Sequence, residues 1–427
     1  MILANNKFLY LSVSVLCGLI LIIPVLNYEP IVVYSIANIS SSLVYIFVCL
    51  LIFKLDLQHS VVIIFIAALV LLRLLFINII PIGSDDIYRY MWDGKIQSAG
   101  INPYLYAPNH PALAGLHSNI LPQNVNFPNM KTIYFPLSQW LFFIGYLLSG
   151  ESVWGYKFLI LIAEMLTIFS IYELLKHLGI NTKYVLFYVL CPLSIIHFAL
   201  DAHLDAFGFP MILLSILFYL KDRKIISSVL LGLSLSIKPV GLVFLPIFFL
   251  NEKGIKNKIS VVVFPLIVFF MQFLPYIFSS NPFEAFLIYT KNWTFNGFVF
   301  NLMNLYFKDN QTSRLISAIL LAAVLLPVYF RNKNILDKIF YSALFMIVFS
   351  PVVHPWYIGW IAILIPLTQK WSGILLVALS SLTVITVLNF QLYGFWTDYL
   401  PVLLLEYMPV IYFVFKEYFT MDDISLK

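Results

Sequence analysis

The chain has 427 residues, of which 62% are apolar and only 11% are Asp, Glu, Lys or Arg, whereas a soluble domain carries roughly 25% charged residues. That composition excludes an ordinary soluble enzyme. The basic residues behind the net charge of +5 are scattered between apolar runs, which leaves no basis for a nucleic-acid partner.

Apolar runs recur from Phe8 to Phe415, and at 1.5 Å per helical residue they are long enough to cross a hydrocarbon core of about 30 Å. Unbroken runs such as Val61 to Ile80 lack the alternation of the roughly ten-residue strands of membrane barrels. The expected fold is all-α, a polytopic transmembrane helical bundle forming one integral membrane domain over residues 1–427. The first run follows Lys7 and shows no small-residue cleavage site before Asn27, so it reads as an uncleaved first helix. Cys17, Cys49 and Cys191 lie inside apolar runs and read as packing residues.

Positive residues gather at Lys7, Lys54, Lys176 with Lys183, Lys221 to Lys224, Lys253 to Lys258, Arg331 to Lys338, Lys370 and Lys416, and the positive-inside rule assigns these to the cytoplasm. With Lys7 and Lys54 both inside, the run Val61 to Ile80 delivers Pro81 to the outer side. Residues 81–134 are then an extracytoplasmic loop, the longest polar stretch of the chain, and its aromatics and prolines favour an ordered one. A helix is expected over Leu137 to Leu148, lying on or dipping into the outer face, because a crossing there would turn Lys176 and Lys183 outward. Ile225 to Leu250 is expected to break at Lys238-Pro239, since proline removes a backbone donor. The result is a re-entrant hairpin with Lys238 at its tip, at membrane depth, where irregular backbone must line a cavity. With the hairpin counted as two, about fourteen passes begin near residues 8, 31, 60, 154, 184, 205, 225, 240, 259, 313, 336, 356, 371 and 397. An even number places both termini in the cytoplasm. The turns at Asp201 to Asp205, Ser279 to Arg314, Pro351 to Tyr357 and Phe390 to Tyr399 join the 81–134 loop outside.

The outer loop opens on Asp85 and Asp86. Adjacent carboxylates raise each other's proton affinity, and a carboxylate so poised can act as general base; the same pair also suits a helix start. Arg89 and Asp93 follow at i+4 intervals and share a helical face. His197, His203 and His354 fall near outer ends of spans, His354 being followed by Pro355, Trp356 and Tyr357. Lys238 is the most informative cation, because a charge at that depth faces a cavity or partner. Arg73 inside the third span is placed to pair with Glu164. Lys291, Asn292, Trp293 and Asn296 could bind a polar ligand, or simply form an aromatic interfacial loop.

Asp85-Asp86-Ile87-Tyr88-Arg89-Tyr90, Trp92-Asp93-Gly94 and Gly100-Ile101-Asn102-Pro103-Tyr104 together resemble the first outer loop of polyprenol-phosphate-mannose-dependent mannosyltransferases and their bacterial relatives, membrane glycosyltransferases of the C-type (GT-C) fold. The likeness continues through Tyr134-Phe135-Pro136-Leu137, Asp201-Ala202-His203-Leu204-Asp205, Ile237-Lys238-Pro239, Asn292 to Gly297 and His354-Pro355-Trp356-Tyr357. Phe135 departs from the family's first proline, which implies a less rigid entry to the following helix. The resemblance implies transfer of a sugar, with mannose favoured, from a polyprenyl-phosphate carrier to a glycan or glycolipid acceptor hydroxyl at the outer leaflet. Asp85 or Asp86 would be the catalytic base, with Asp85 preferred as the first residue after the span. Substrate contacts are expected from Arg89, Tyr90, Asp93, Asn102, Tyr104, Asp201, His203, Asp205, Lys238, Lys291, Asn292, Trp293, Asn296, His354, Trp356 and Tyr357, with the outer turns converging on one site.

No cofactor is firmly indicated. The acid pair could hold a hard divalent cation, but nothing supplies a full coordination shell, and the Asp201 to Asp205 spacing is not that of a structural metal site. The competing classes are a lipid-linked sugar flippase or transporter, and a polysaccharide polymerase or ligase. The first would show interrupted helices in both halves, and the second more outer arginines than Arg89 and Arg314.

Overall fold

The computed structural model describes residues 2–26, 29–331 and 333–419. Asn27 and both chain ends, on which the expectations of an uncleaved first helix and of two cytoplasmic termini bear, lie outside the described residues. Among the described residues the chain is helical, with isolated β-bridges between Phe295, Asn296 and Val352 and no longer strand.

Helical segments open at or near each of the starting positions read from the sequence. Pro30–Lys54, Trp154–His177, Asn310–Phe330 and Trp371–Tyr393 are each long and apolar enough to cross a membrane. Thr182–Val189 and Ser194–Leu200 pass that test as a pair bent by 60°, at the Cys191-Pro192 step where the backbone donor is missing. The remaining apolar helices have 10–17 residues, and prolines account for several of the short ones. Pro239 opens a helical turn directly after Lys238, whose backbone is extended at φ −153° and ψ 135°, and Pro355 does the same after His354.

The chain reverses at Lys238. Lys224 Nζ and Glu252 Oε2, at the far ends of Lys224–Leu235 and of the segment after Pro239, are 2.7 Å apart, whereas a straight helix would separate them by about 42 Å at 1.5 Å per residue. A Cβ at Gly241 would lie 2.8 Å from Leu231 Cδ1, so the second arm folds closely back on the first.

Contacts group the chain into two compact units, Met1–Leu69 with Leu175–Ile196 and Thr294–Lys427, and Val70–Leu174 with His197–Trp293. In the first, Trp371–Leu379 packs on Pro30–Lys54 and on Leu400–Phe419, and Glu417 accepts from both the amide and the hydroxyl of Ser372. In the second, Lys224–Leu235 packs on both Gly208–Leu220 and Ile255–Met271. Phe135 sits in a buried cluster with Leu235, Phe269 and Phe273 and meets Phe283 and Phe286 edge-on or tilted. The entry to Pro136–Ser149, which the missing proline would have loosened, is therefore held by ring packing.

At Gly232 a Cβ would come within 2.5 Å of the Pro265 carbonyl and 2.7 Å of Val268 Cβ, so the two helix backbones can meet only at glycine. Gly232→Ala should lower the thermal unfolding temperature in detergent, at a cost of about 1–3 kcal/mol for overpacking. Gly18→Ala, where a Cβ meets nothing within 4 Å, should leave it unchanged or raise it.

Candidate active site

The acidic loop is anchored before it begins. Lys157, buried in the first turn of Trp154–His177, donates to the carbonyls of Phe76 (3.0 Å), Leu200 (2.6 Å) and Ile79. One ammonium thus caps the chain leaving His59–Leu75 and the chain leaving Ser194–Leu200. The next residue, Asp201, accepts from the amides of Ile82 (3.1 Å) and Gly83 (3.0 Å), and Ala202 at φ 62° turns the backbone toward His203. Side chain and backbone together hold Ser84 to Asp86 against the Asp201 to Asp205 turn.

Asp86 opens the Asp86–Ser98 helix and Asp85 stands at its N-cap, yet the Asp85 carboxylate makes no capping bond. The helix-start role is filled by position and not by that side chain. Asn126 Nδ2 lies between the two acids, donating to Asp85 Oδ1 at 3.0 Å and Asp86 Oδ1 at 2.8 Å. Asp86 Oδ2 is 3.5 Å from His203 Nδ1, which is fully enclosed. Asp85 is the outward member of the pair. Partial desolvation, and then the neighbouring Asp86 charge, raise its carboxyl above the ordinary value, against the lowering effect of the Asn126 amide.

Behind the pair, Arg89 and Asp93 form a buried i,i+4 ion pair at 3.0 Å. Arg89 also donates to the Met130 carbonyl, and Asp93 accepts from Gln139. Gln139 reaches Thr132, and Gln97 donates to Asp93 O and Gln139. Tyr90 stacks on Phe142 at 4.4 Å and meets Tyr134 edge-on. Tyr104 donates to the Tyr134 carbonyl, while Asn102 accepts from the Tyr104 amide and donates toward Ser279 and Ser280. These side chains direct polar atoms into the loop's own architecture.

The hairpin tip reaches the same place. Lys238 Nζ is 2.6 Å from Asp205 Oδ1, the carboxylate being almost wholly buried, so a carboxylate of this chain already faces the ammonium. Trp293 packs against Phe127, next to Asn126, and against Tyr289. Asn292 bonds the Ile288 carbonyl at an exposed helix end beside Lys291.

Asn296, His354, Trp356 and Tyr357 belong to the other unit, where they form a second constellation. His354 is stacked between Phe295 (4.7 Å) and Trp356 (4.4 Å), with Tyr357 edge-on. Val353 N donates to Phe295 O and Phe295 N to Pro351 O, knitting the two turns together. Gly297 permits this, since a Cβ there would lie 2.5 Å from the Ser350 carbonyl. Asn296, at φ 50°, donates its side-chain amide to both oxygens of buried Glu406 and its backbone amide to Asp398, which also accepts from Asn301. Burial holds the Asp398 carboxyl above its usual value, against these donors.

Asn126, Lys157, Gln139, Asp398 and Glu406 are the site-forming residues that sequence reasoning passed over. Glu406 alone carried a usable signal, a charge inside an apolar helix. The structure does bring Arg73 and Glu164 together, at 3.3 Å. Among the described residues no group of three or more His, Cys, Asp and Glu is arranged to hold a metal.

An all-helical chain with membrane-length apolar helices and an acid pair at the head of a long polar loop has the architecture of the polytopic membrane glycosyltransferases. The family model described as Alpha-(1->6)-mannopyranosyltransferase, N-terminal domain, matches residues 18–252, more than half of the chain, and the chain belongs to that family. It is similar to Alpha-(1->6)-mannopyranosyltransferase A of Corynebacterium glutamicum, with 26% identity over 171 residues, covering 39% of this chain and 34% of that protein. It is also similar to GPI mannosyltransferase 1 of Candida albicans, with 25% identity over 188 residues, covering 36% of this chain and 47% of that one. The matches thus span between a third and a half of these relatives.

Phe76 O also accepts from the Ile79 amide, so replacing the Lys157 ammonium takes the donor from the Ile79 and Leu200 carbonyls, at roughly 1–3 kcal/mol for each unsatisfied buried group. Lys157→Met should therefore destabilise the protein by about 2 kcal/mol or more in detergent unfolding. It should also increase hydrogen exchange at the Ile82 and Gly83 amides. Unchanged protection there would separate Lys157 from the anchoring of the acid loop.

Proposed function

We propose that the protein is a membrane glycosyltransferase that moves a sugar, mannose by family, from a polyprenyl-phosphate carrier to a glycan or glycolipid hydroxyl on the extracytoplasmic side. Asp85 is the general base. The observation that carries this is the contrast within the acid pair: Asn126 donates to both, but enclosed His203 lies against Asp86, while Asp85 makes no capping bond and faces outward.

Asp85 takes the proton of the acceptor hydroxyl as its oxygen attacks the anomeric carbon. The bond from that carbon to the carrier phosphate oxygen breaks, and the lipid phosphate leaves with the bonding electrons. Charge develops on the phosphate, which requires cationic or hydrogen-bonding partners. Lys238 serves in this scheme by sharing its ammonium between Asp205 and the phosphate. Lys291 is a further cation, on an exposed helix end. Arg89, Asp93, Asn102 and Tyr104 act by holding the loop in shape. A single displacement inverts the anomeric centre, by the same logic that separates inverting from retaining glycosidases. A divalent cation has a place between the carboxylates only by displacing the Asn126 amide.

The lysine clusters at the ends of alternate helices support about fourteen passes, with both termini cytoplasmic and the acid loop outside. A cysteine at exposed Ser98, in a background lacking Cys17, Cys49 and Cys191, should react with an impermeant thiol reagent from outside intact cells. Reaction only after permeabilisation would reverse the orientation.

Asp85→Asn keeps size but cannot accept a proton, so transfer should fall by about 10² or more while the protein remains folded. In the wild type Asp85 must be ionised, so the rate should drop as pH falls through its raised pKa. Asp86→Asn removes the like charge, lowers the Asp85 pKa and should move that acid limb to lower pH while transfer persists. Loss of transfer in Asp86→Asn with retention in Asp85→Asn would exchange the two roles.

A further inference from the structure

Beside the acid loop, wholly within one unit, lies a cleft of about 400 Å³ lined by Tyr106, His110, Asn129, Lys131, Glu284 and Ile288 among others. That volume falls in the range of small-molecule sites, roughly 300–1,000 Å³. We propose that it is an acceptor subsite that seats the neutral saccharide unit preceding the one whose hydroxyl is glycosylated. This rests on the glycosyltransferase reading and adds to it the class of acceptor.

The lining has the chemistry of a carbohydrate surface. Tyr106 and His110 stack at 4.5 Å with planes 27° apart, giving a broad aromatic face for the apolar side of a pyranose ring. His110 Nδ1 accepts from the Ala112 amide, which leaves the Nε2 hydrogen as a donor. Asn129 Oδ1 accepts from Asn109, so its amino group remains a donor. Lys131 and Glu284 pair at 2.9 Å with side chains 32% and 45% exposed, offering a donor and an acceptor to hydroxyls. Their opposite charges cancel, which suits an uncharged polyol and not the anionic carrier phosphate.

The cleft is also wired to the acid pair. Asn126 bridges Asp85 and Asp86, while Met130, four residues on, lines the cleft and accepts from Arg89. Four residues span at most about 14 Å at roughly 3.5 Å each, and the Met130 amide turns back onto the Phe127 carbonyl, which shortens the separation to the scale of a disaccharide. A saccharide seated in the cleft therefore lies within reach of Asp85.

The test uses the full-length protein in detergent and an α-(1→6)-linked mannotriose as probe. Saturation-transfer NMR without donor should show the triose bound to the wild type. In Tyr106→Ala and in Glu284→Gln the signal should fall by about tenfold or vanish. In transfer assays the triose should have a KM about tenfold below that of methyl α-mannoside. Tyr106→Ala should remove that advantage while leaving kcat, the methyl mannoside KM and the donor KM unchanged. Equal triose binding by wild type and both variants, or no binding by the wild type, would overturn the subsite. If the wild type transfers sugar to neither acceptor, the glycosyltransferase reading fails, and the binding arm still decides whether the cleft holds saccharide.

Discussion

A single ammonium among three backbone carbonyls sets the geometry on which the acid loop depends. Where two helices end at the same depth, their terminal carbonyls have no intrahelical partner, and in an apolar surrounding an unsatisfied group is costly. Lys157 resolves both ends at once, taking carbonyls from residues 76 and 79 on one side and 200 on the other. Asp201 then ties its own turn to Ile82 and Gly83. With those two clamps, the carboxylates of Asp85 and Asp86 and the side chains of His203 and Asp205 are brought onto neighbouring backbone.

Charge accounting singles out Asp85. In the unit that contains it, Arg73 is spent on Glu164, Arg89 on Asp93, and Lys238 on Asp205. Breaking the buried Arg73 and Arg89 pairs by removing one partner costs roughly 3–5 kcal/mol, so those residues are committed to the fold, whereas Lys238 keeps a partly exposed side chain. Asp86 is held by an amide and a histidine. Asp85 accepts one amide bond and is otherwise directed outward, so it is the carboxylate of the pair least committed to the fold. The second constellation, built on Asn296, Asp398 and Glu406, follows the same rule, because buried Glu406 and half-buried Asp398 are met by the side chain and backbone of one sharply turned asparagine, with Asn301 also donating to Asp398.

The helices were legible because apolar runs and prolines are local signals. The break at Lys238-Pro239 followed from one imino acid and flanking lysines, and the Lys224 to Glu252 bridge shows the chain turning back. Arg73 and Glu164 could be paired from sequence because each is a charge deep inside an apolar run, at compatible depth. Partners that arrive from distant loops were not legible. Asn126 looks like any loop asparagine, and nothing near it in sequence announces the carboxylates some 40 positions earlier. Lys157 stands one turn into an apolar helix, where a lysine reads as an interfacial anchor, and its three acceptors are backbone atoms that no side-chain pattern records. Lys238 was singled out for its depth, but its carboxylate partner became evident only when the Asp201 to Asp205 turn was seen beside the hairpin tip.

The most direct measurement is photo-crosslinking with a polyprenyl-phosphate sugar carrying a diazirine beside the phosphate, followed by peptide mapping. Adducts should fall on residues 82–90, 203–205 and 236–240, with yield reduced by excess unlabelled carrier. Competable adducts confined to segments outside that set would contradict the account, because the acid pair and the hairpin tip would then lie away from the bond that breaks.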